Sequence, residues 1–352
     1  MSRPDLAQAL HTVDRLFRTT LAPGGAPGTV GQVLDRRVEL LGQAHRDGDP
    51  AATVLLRAAG AGETAGRSLT VDEIRAAIAR EHGFVDWAAV TADRDQPVDP
   101  RFEAAVDAVV GGTADPLRTL LAAHPELVAA RSPFGHHATL VHYVAANGVE
   151  ASRQWQSPPN AVEILRILLG HGADPDAPCD AYGGGLTPLC ALVSSAHPAA
   201  AGVQAGLVEE LCRGGANPDG RDGDGLPLWT AITYGYADAV DALARGGARV
   251  DNLVFAAAVG DLDRVAGYLR DGEPRGAQRV GRRGPLLDPN HTVEYALIYA
   301  AALGRRAVVE LLLTRDPDLS VTEPVFHGTA AGMARYHQRH DLLALFDGSP
   351  PR

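Results

Sequence analysis

The chain has 352 residues, of which 45% are hydrophobic, 21% charged and only 5% aromatic, and its formal net charge is −11. This acidic balance argues against broad electrostatic attraction to nucleic acid or to anionic membranes. No stretch approaches the roughly 18 uninterrupted apolar residues of a membrane span, and the three cysteines form no CxxC pair. The composition predicts a globular, cytoplasmic protein without structural disulfides.

The first 98 residues carry helical patterns that differ from the rest of the chain. Periodic apolar residues predict helices over residues 5–20, 30–46, 50–59 and 70–81. The N-terminus contains acidic residues and lacks an apolar h-region, so we expect no secretory signal. Phe84 and Trp87 are expected to anchor a further short helix in a small bundle. The charged, proline-containing stretch 93–100 predicts a hinge, which separates a helical subdomain (1–98) from residues 99–349.

From residue 101 onward the chain repeats one pattern. A helix of small residues is followed by a helix with a Leu/Val stripe and then by a Gly-Ala-x-x-Asp-type turn. Gly-Ala pairs at 172–173, 215–216 and 247–248 are spaced by 43 and 32 residues, which is a period of about 33 residues with an insertion in the first interval. One such helix pair cannot bury its apolar face alone, so the pattern predicts a stacked solenoid.

The repeats follow in chain order. Repeat one covers residues 101–127, and repeats two, three and four begin near residues 139, 186 and 226. Repeat five (253–272) is compressed, repeat six begins near residue 295, and repeat seven ends at Phe346. We therefore expect an all-α fold of six or seven helix pairs. Short turns are expected at 172–176, 215–219 and 247–251.

Two strings carry a family resemblance. TLVHYVAANG (139–148) and GLTPLCALVSSAH (185–197) resemble the T-P-L-H-x-A-A-x-x-G signature of the ankyrin-repeat superfamily. REHGF-x-x-W (80–87) resembles the helical extension of a large group of bacterial ankyrin proteins, mostly without an established activity. The resemblance implies an ankyrin solenoid preceded by a small helical subdomain, and it leaves the ligand open. It also implies that His142, the signature histidine, ties its helix start to the turn by hydrogen bonds.

Three insertions interrupt the repeat, at residues 149–160, 198–203 and 273–290. Insertions in repeat arrays map to loops on one face, which is often the binding face. The third insertion is locally basic, with arginines at positions 275, 279, 282 and 283. It is either a docking loop for an acidic partner or a solvated loop.

No motif for catalysis or cofactor binding is present. His136, His137 and His142 are the densest histidine group, but no second cluster has metal-ligand spacing, so the structural role of His142 is favoured over a metal site. The string AYGGG (181–185) would let backbone amides approach a ligand, although a simple hairpin turn is the favoured alternative. No P-loop or nucleophile elbow occurs. We expect no cofactor and lean towards a protein that is not an enzyme.

One region nevertheless brings several chemical groups together, between repeats two and three. Its candidate residues for binding a ligand or partner are Tyr143, Asn147, Arg153, Trp155, Tyr182 and Gly184. Its weak candidates for acid–base catalysis are His142, His197 and Glu150. The alternative, which has equal standing, is that these loops pack on each other and on the N-terminal helices.

Two functional hypotheses follow from these patterns. The first is a non-catalytic module that binds a partner protein through a concave groove lined by the loop insertions. The second is a small-molecule-binding or catalytic ankyrin protein with a pocket between repeats two and three. The partner is accordingly a protein or a small molecule, and neither a membrane nor nucleic acid is expected.

Overall fold

The computed structural model describes residue 16 and residues 28–62, 67–146, 150–154, 156–271 and 287–347. Across these residues the regular secondary structure consists of helices and two short strands, which confirms the predicted all-α class. Residues cluster into two compact units, an N-terminal unit (Met1–Val203) and a C-terminal unit (Gln204–Arg352). The subdomain boundary at residue 98 stays a prediction. No helix within the described ranges has the length and apolar character needed to cross a membrane.

The N-terminal unit begins with a small helical bundle. Its elements are β1 (Gly28–Thr29), α1 (Val30–Arg46), α2 (Pro50–Ala58), α3 (Val71–Glu81), α4 (Trp87–Ala92) and β2 (Pro97–Val98). Capping boxes fix two helix starts: Thr29 with Gln32 begins α1, and Thr70 with Glu73 begins α3. The helices predicted over 30–46, 50–59 and 70–81 are confirmed to within a residue. The helix predicted over 5–20 lies outside the described residues except for Leu16.

The predicted hinge at 93–100 is wrong. Pro97 and Val98 form β2, which pairs antiparallel with Thr29 and Gly28 of β1. The physical reason is apolar burial, because the Val98 side chain joins the hydrophobic core of the bundle. The same core includes Phe134, which follows the first helix pair of the repeats. A single hydrophobic cluster therefore joins the bundle to the start of the repeat array.

Further helices follow in the same unit. They are α5 (Pro100–Val110), α6 (Ala114–Ala123), α7 (Leu140–Val144), α8 (Ala161–Gly170), α9 (Pro188–Val193) and α10 (Ala196–Ala200), of which α10 overlaps the second insertion. Helix α5 packs on α6 and α7 packs on α8, while α5 also contacts α7 and α6 contacts α8. This is the stacking of neighbouring helix pairs that a solenoid requires.

The C-terminal unit continues the pattern. Its helices are α11 (Gln204–Arg213), α12 (Leu226–Thr233), α13 (Ala237–Arg245), α14 (Leu253–Val259), α15 (Leu262–Asp271), α16 (Thr292–Leu303), α17 (Arg306–Leu313), α18 (Ala330–Tyr336) and α19 (Leu343–Asp347). The first helices α14, α16 and α18 pack side by side in a row. Fully buried alanines, including Ala257 and Ala301, line this row, and their small side chains let the helices approach closely.

The Gly-Ala turns lie where the sequence predicted them. Gly172, Gly215 and Gly247 end α8, α11 and α13 with φ angles of 90°, 101° and 96°, a conformation that favours glycine. In each turn the N–H of the following alanine donates to a leucine carbonyl five residues earlier. This Schellman arrangement satisfies the free carbonyls of the helix end. The same backbone arrangement occurs in all three turns, so the repeat is visible in the backbone conformation.

Candidate functional site

Three of the predicted site residues meet in the N-terminal unit, but they meet in its interior. Tyr143 on α7 donates its hydroxyl hydrogen to Glu150 Oε1 over 2.6 Å, and Arg153 Nη1 lies 3.4 Å from Glu150 Oε2. All three side chains are buried. They belong to a buried polar cluster, which consists of Arg37, Glu81, His82, Glu103, His136, Tyr143, Glu150 and Arg153.

Arg153 is the best-connected member of the cluster. Its Nη1 donates to Glu103 Oε2 over 2.7 Å and its Nη2 to the Glu103 carbonyl over 2.8 Å. Its Nε and Nη2 both donate to Asp107 Oδ1, over 2.9 and 2.7 Å. Glu103 and Asp107 belong to α5, so Arg153 fastens the first insertion to the first helix pair.

The REHGF string supplies the other side of the cluster. Glu81 accepts the Ser152 N–H over 2.9 Å through its carboxylate and the Glu150 N–H over 3.3 Å through its carbonyl. His82 donates from Nδ1 to the Ile78 carbonyl over 2.7 Å, and its Nε2 faces the Arg37 guanidinium. The motif at the end of α3 therefore holds the insertion against the helical bundle.

The charges of the cluster are set by burial and by its two arginines. Burial raises the pKa of Glu81 and that of Glu103. Burial also acts to raise the pKa of Glu150, but His136, Arg153 and Arg37 outweigh it and hold that pKa well below its ordinary value. The cluster thus combines buried ion pairs of Glu103 and Glu150 with hydrogen bonds of Glu81, His82 and Tyr143. It matches the alternative in which the first insertion packs on the N-terminal helices.

The two candidate histidines are placed differently. His142 is fully buried, with Nδ1 accepting from the Thr139 N–H over 3.2 Å and Nε2 donating to the Leu186 carbonyl over 3.1 Å. Burial lowers its pKa to about 4. These bonds are the tie that the family resemblance implies for this histidine. His197 lies on α10, where it is half-buried and burial lowers its pKa.

Tyr182 and Gly184, two further predicted site residues, lie in a hairpin turn. Tyr182 lies at the tip of a hairpin with a φ of 52° and is 63% exposed. The glycines that follow it, including Gly184, also have positive φ, and Cys179 pairs with Leu186 across the hairpin. The AYGGG string is therefore a turn. Asn147 and Trp155, like the arginines at 275, 279, 282 and 283, lie outside the described residues.

Over the described ranges, His, Cys, Asp and Glu side chains form no group of three or more that could hold a metal ion. The histidines near the signature string make other contacts. His137 Nδ1 lies 2.8 Å from Asp180 Oδ2, and His136 Nε2 lies 3.4 Å from Glu150 Oε1. These contacts join the two hairpins and the insertion.

A surface feature that the sequence did not predict lies in the C-terminal unit. It is an aromatic patch formed by Tyr234, Tyr236, Phe326 and Tyr336. The rings of Tyr234 and Tyr236 are stacked at 6.1 Å, and Phe326 meets Tyr234 edge-on at 5.9 Å. Tyr234 is 43% exposed, Phe326 53% and Tyr336 80%. Burial raises the pKa of Tyr236 to about 12, and the nearby Tyr234 and Tyr336 act in the same direction.

The patch is assembled from distant parts of the sequence. Tyr234 and Tyr236 flank Gly235 in the turn between α12 and α13, whereas Phe326 precedes α18 and Tyr336 ends it. Repeats four and seven thus meet although they are not neighbours along the chain. The local signal in the sequence is the Tyr-Gly-Tyr string at a turn. No local pattern indicates which ring it meets.

Gly235 is the point of closest approach in this region. A Cβ atom there would lie 2.2 Å from Cε1 of the His337 ring, and its φ is 73°. We expect backbone strain in Gly235→Ala to lower the free energy of unfolding by about 1–2 kcal/mol. The clash of the new Cβ atom with the His337 ring should add to this loss. The double variant Gly235→Ala/His337→Ala should lose less than the sum of the single changes in urea denaturation, because it relieves the clash. Strict additivity would contradict the contact.

Comparison with known proteins gives similarities in fold. No family model matches the chain, and no curated protein matches it. Among solved structures, the human ASB11 ankyrin repeat domain is 18% identical, with a TM-score of 0.39, over 70% of this chain and 99% of that one. The Bcl-3 ankyrin repeat domain is also 18% identical, with a TM-score of 0.36, over 70% of this chain and 98% of that one. The stacked helix pairs and Gly-Ala turns of the chain agree with the repeat pattern predicted from its own sequence.

Proposed function

We propose that the protein is a non-catalytic module that recognises a partner protein in the cytoplasm through its aromatic patch. The observation that carries this proposal is the exposure of large rings that pack on one another at one surface. Tyrosine is enriched among the residues that dominate binding energy at protein interfaces. Exposed apolar patches on soluble proteins commonly mark interaction sites.

The chemistry of the patch indicates what the partner presents. The ring faces favour aliphatic side chains, and each tyrosine hydroxyl offers a hydrogen bond at the edge of the apolar area. The partner is therefore expected to be a protein segment with apolar anchors and accessible backbone groups. The loop insertions at 149–160, 198–203 and 273–290 remain proposed contributors to partner choice.

The candidate catalytic residues give less support to the alternative hypothesis of a pocket between repeats two and three. His142 and Glu150 are fully buried, and protein groups already occupy their polar atoms. An acid–base residue must reach the proton that it transfers, directly or through one water molecule. The geometry therefore favours recognition over catalysis.

The test compares affinity capture by the wild type, Phe326→Ala, Tyr336→Ala and a matched control. Val85→Ala serves as the control, because Val85 is 84% exposed but lies in the N-terminal unit. We expect the wild type and the control to capture the same discrete protein. Each patch variant should weaken its Kd by about 30-fold, the effect of losing an interface residue worth about 2 kcal/mol.

Two results would contradict the proposal. One is a partner that binds both patch variants as tightly as it binds the wild type. The other is a small molecule that co-purifies in stoichiometric amount while no protein is captured. The melting temperature of each variant is measured in parallel, so that loss of binding is separated from loss of folding.

A further inference from the structure

The loop before α18 is closed around one buried carboxylate. Glu323 Oε1 accepts the N–H of Phe326 over 2.6 Å and that of Gly328 over 3.2 Å. Its Oε2 accepts the N–H of Val325 over 2.7 Å and the hydroxyl of Tyr299 over 3.2 Å. The Glu323 side chain has no exposed surface. We refer to residues 323–328 as the Glu323 loop.

Backbone hydrogen bonds complete the closure. The N–H of Glu323 donates to the Gly328 carbonyl over 3.1 Å, and the N–H of His327 donates to the Glu323 carbonyl over 3.1 Å. Since Pro324 has no N–H, every amide hydrogen from residue 323 to residue 328 has an acceptor within the loop. Breaking any of these bonds would leave a backbone donor without its acceptor, so the pairing favours one conformation of the loop.

Two aromatic side chains in the interior also support the Glu323 loop. Tyr299, which donates to Glu323, is fully buried on α16 and packs edge-on against Trp229 of α12 at 5.3 Å. Trp229 lies on α12, five residues before Tyr234 in the sequence. Helix α12 therefore contacts Tyr299, which donates to Glu323, and it also leads into the turn that carries Tyr234 and Tyr236.

At the outer end, the Glu323 loop presents apolar side chains to solvent. Val325 is 38% exposed and Phe326 is 53% exposed, and Phe326 belongs to the aromatic patch. A flexible loop must give up conformational freedom when its side chains are bound, and that loss weakens affinity. A loop that is already held in one conformation avoids this loss.

We propose that Glu323 is the positioning residue of the interaction surface: its carboxylate holds the loop so that Val325 and Phe326 are presented in a binding-ready arrangement. This inference rests on the proposed function for its consequence in binding. The ordering of the loop by Glu323 is independent of any partner and can be tested without one.

The test uses the full chain and hydrogen–deuterium exchange at the amides of Val325, Phe326 and Gly328. We expect Glu323→Ala to accelerate exchange at these amides by about tenfold or more, because their acceptor is lost. Glu323→Gln keeps one carbonyl oxygen as an acceptor, so its exchange rates should fall between those of the wild type and Glu323→Ala. Glu310→Gln is the matched control, since Glu310 is exposed on α17 and pairs with Arg306 over 2.8 Å.

Binding provides the second readout. With the partner captured by the wild type, Glu323→Ala should weaken the Kd by about tenfold. Glu323→Gln should recover part of this loss, and Glu310→Gln should match the wild type. Tyr299→Phe removes one bond to Glu323 and replaces Glu323→Ala if the latter does not fold. Because both carboxylate oxygens remain as acceptors, its exchange rates should rise above those of the wild type by less than those of Glu323→Gln.

The outcomes separate this inference from the proposed function. Wild-type exchange rates in folded Glu323→Ala would overturn the ordering of the loop by Glu323. Faster exchange with unchanged affinity would overturn its role in binding. If the wild type captures no partner, the proposed function fails, while the exchange rates still decide whether Glu323 orders the loop.

Discussion

Replacing Arg153 by alanine is expected to lower the free energy of unfolding by about 3–5 kcal/mol. The side chain of Arg153 is fully buried and donates to Glu103 and Asp107 while it faces Glu150. Its removal would leave Glu103 and Glu150 inside the protein without their main counter-charge. The measurement is urea denaturation at pH 7, followed by circular dichroism.

Arg118→Ala is the matched control for this prediction. Arg118 also makes two ion pairs, with Asp115 and Glu163, but its side chain is 47% exposed. Exposed ion pairs contribute only about 0–1 kcal/mol, because water already solvates the separated charges. Equal losses in the two variants would show that the buried polar cluster does not stabilise the fold in the way inferred here.

Lowering the pH from 7 to 4 is expected to destabilise the protein through its buried histidines. Burial lowers the pKa of His142 from 6.5 to about 4. Above pH 6.5 the ring is neutral in both states, so its contribution to stability is constant. As the pH falls from 6.5 to 4, the unfolded chain takes up a proton that the folded chain does not, and about 3 kcal/mol of stability is lost.

The contribution of His142 is isolated by subtraction. Burial and the nearby Arg37 lower the pKa of His82 to about 3, so His82 also loses stability for the fold as the pH falls. Burial raises the pKa of Glu81 and that of Glu103, so these two groups change the stability in the opposite direction. The stability difference between the wild type and His142→Asn should therefore be constant from pH 8 to 7. It should shift by about 3 kcal/mol against the wild type between pH 6.5 and 4. A difference that does not vary with pH would contradict the inferred effect of burial.

Helix starts and turns could be predicted from the sequence because their causes are local. Thr70 and Glu73 are three residues apart, and each satisfies a backbone N–H near the other. A glycine such as Gly172 ends its helix through bonds within six residues. The pairing of β1 with β2 was missed because it joins two-residue strands that lie about 70 residues apart, and strands this short carry no detectable alternation.

The candidate site could be predicted only in part. Proximity of Tyr143, Glu150 and Arg153 followed from their position beside one insertion. Their burial against the N-terminal helices was one of two open alternatives, because it depends on Arg37 and Glu103, which come from helices much earlier in the chain. The aromatic patch was missed for the same reason. Phe326 lies about 90 residues after Tyr234 in the sequence, and no local pattern indicates that the two rings meet.

The meeting of repeats four and seven has a consequence for how the C-terminal unit unfolds. In an ideal repeat array each repeat touches only its neighbours, so an end can fray while the middle stays intact. Here Gly235 lies under His337, and Trp229 packs on Tyr299 two repeats away. Loss of the last repeat would therefore uncover the fourth as well as the sixth. Because these contacts join repeats four, six and seven, we expect the described parts of residues 226–339 to unfold together rather than to fray from the C-terminal end.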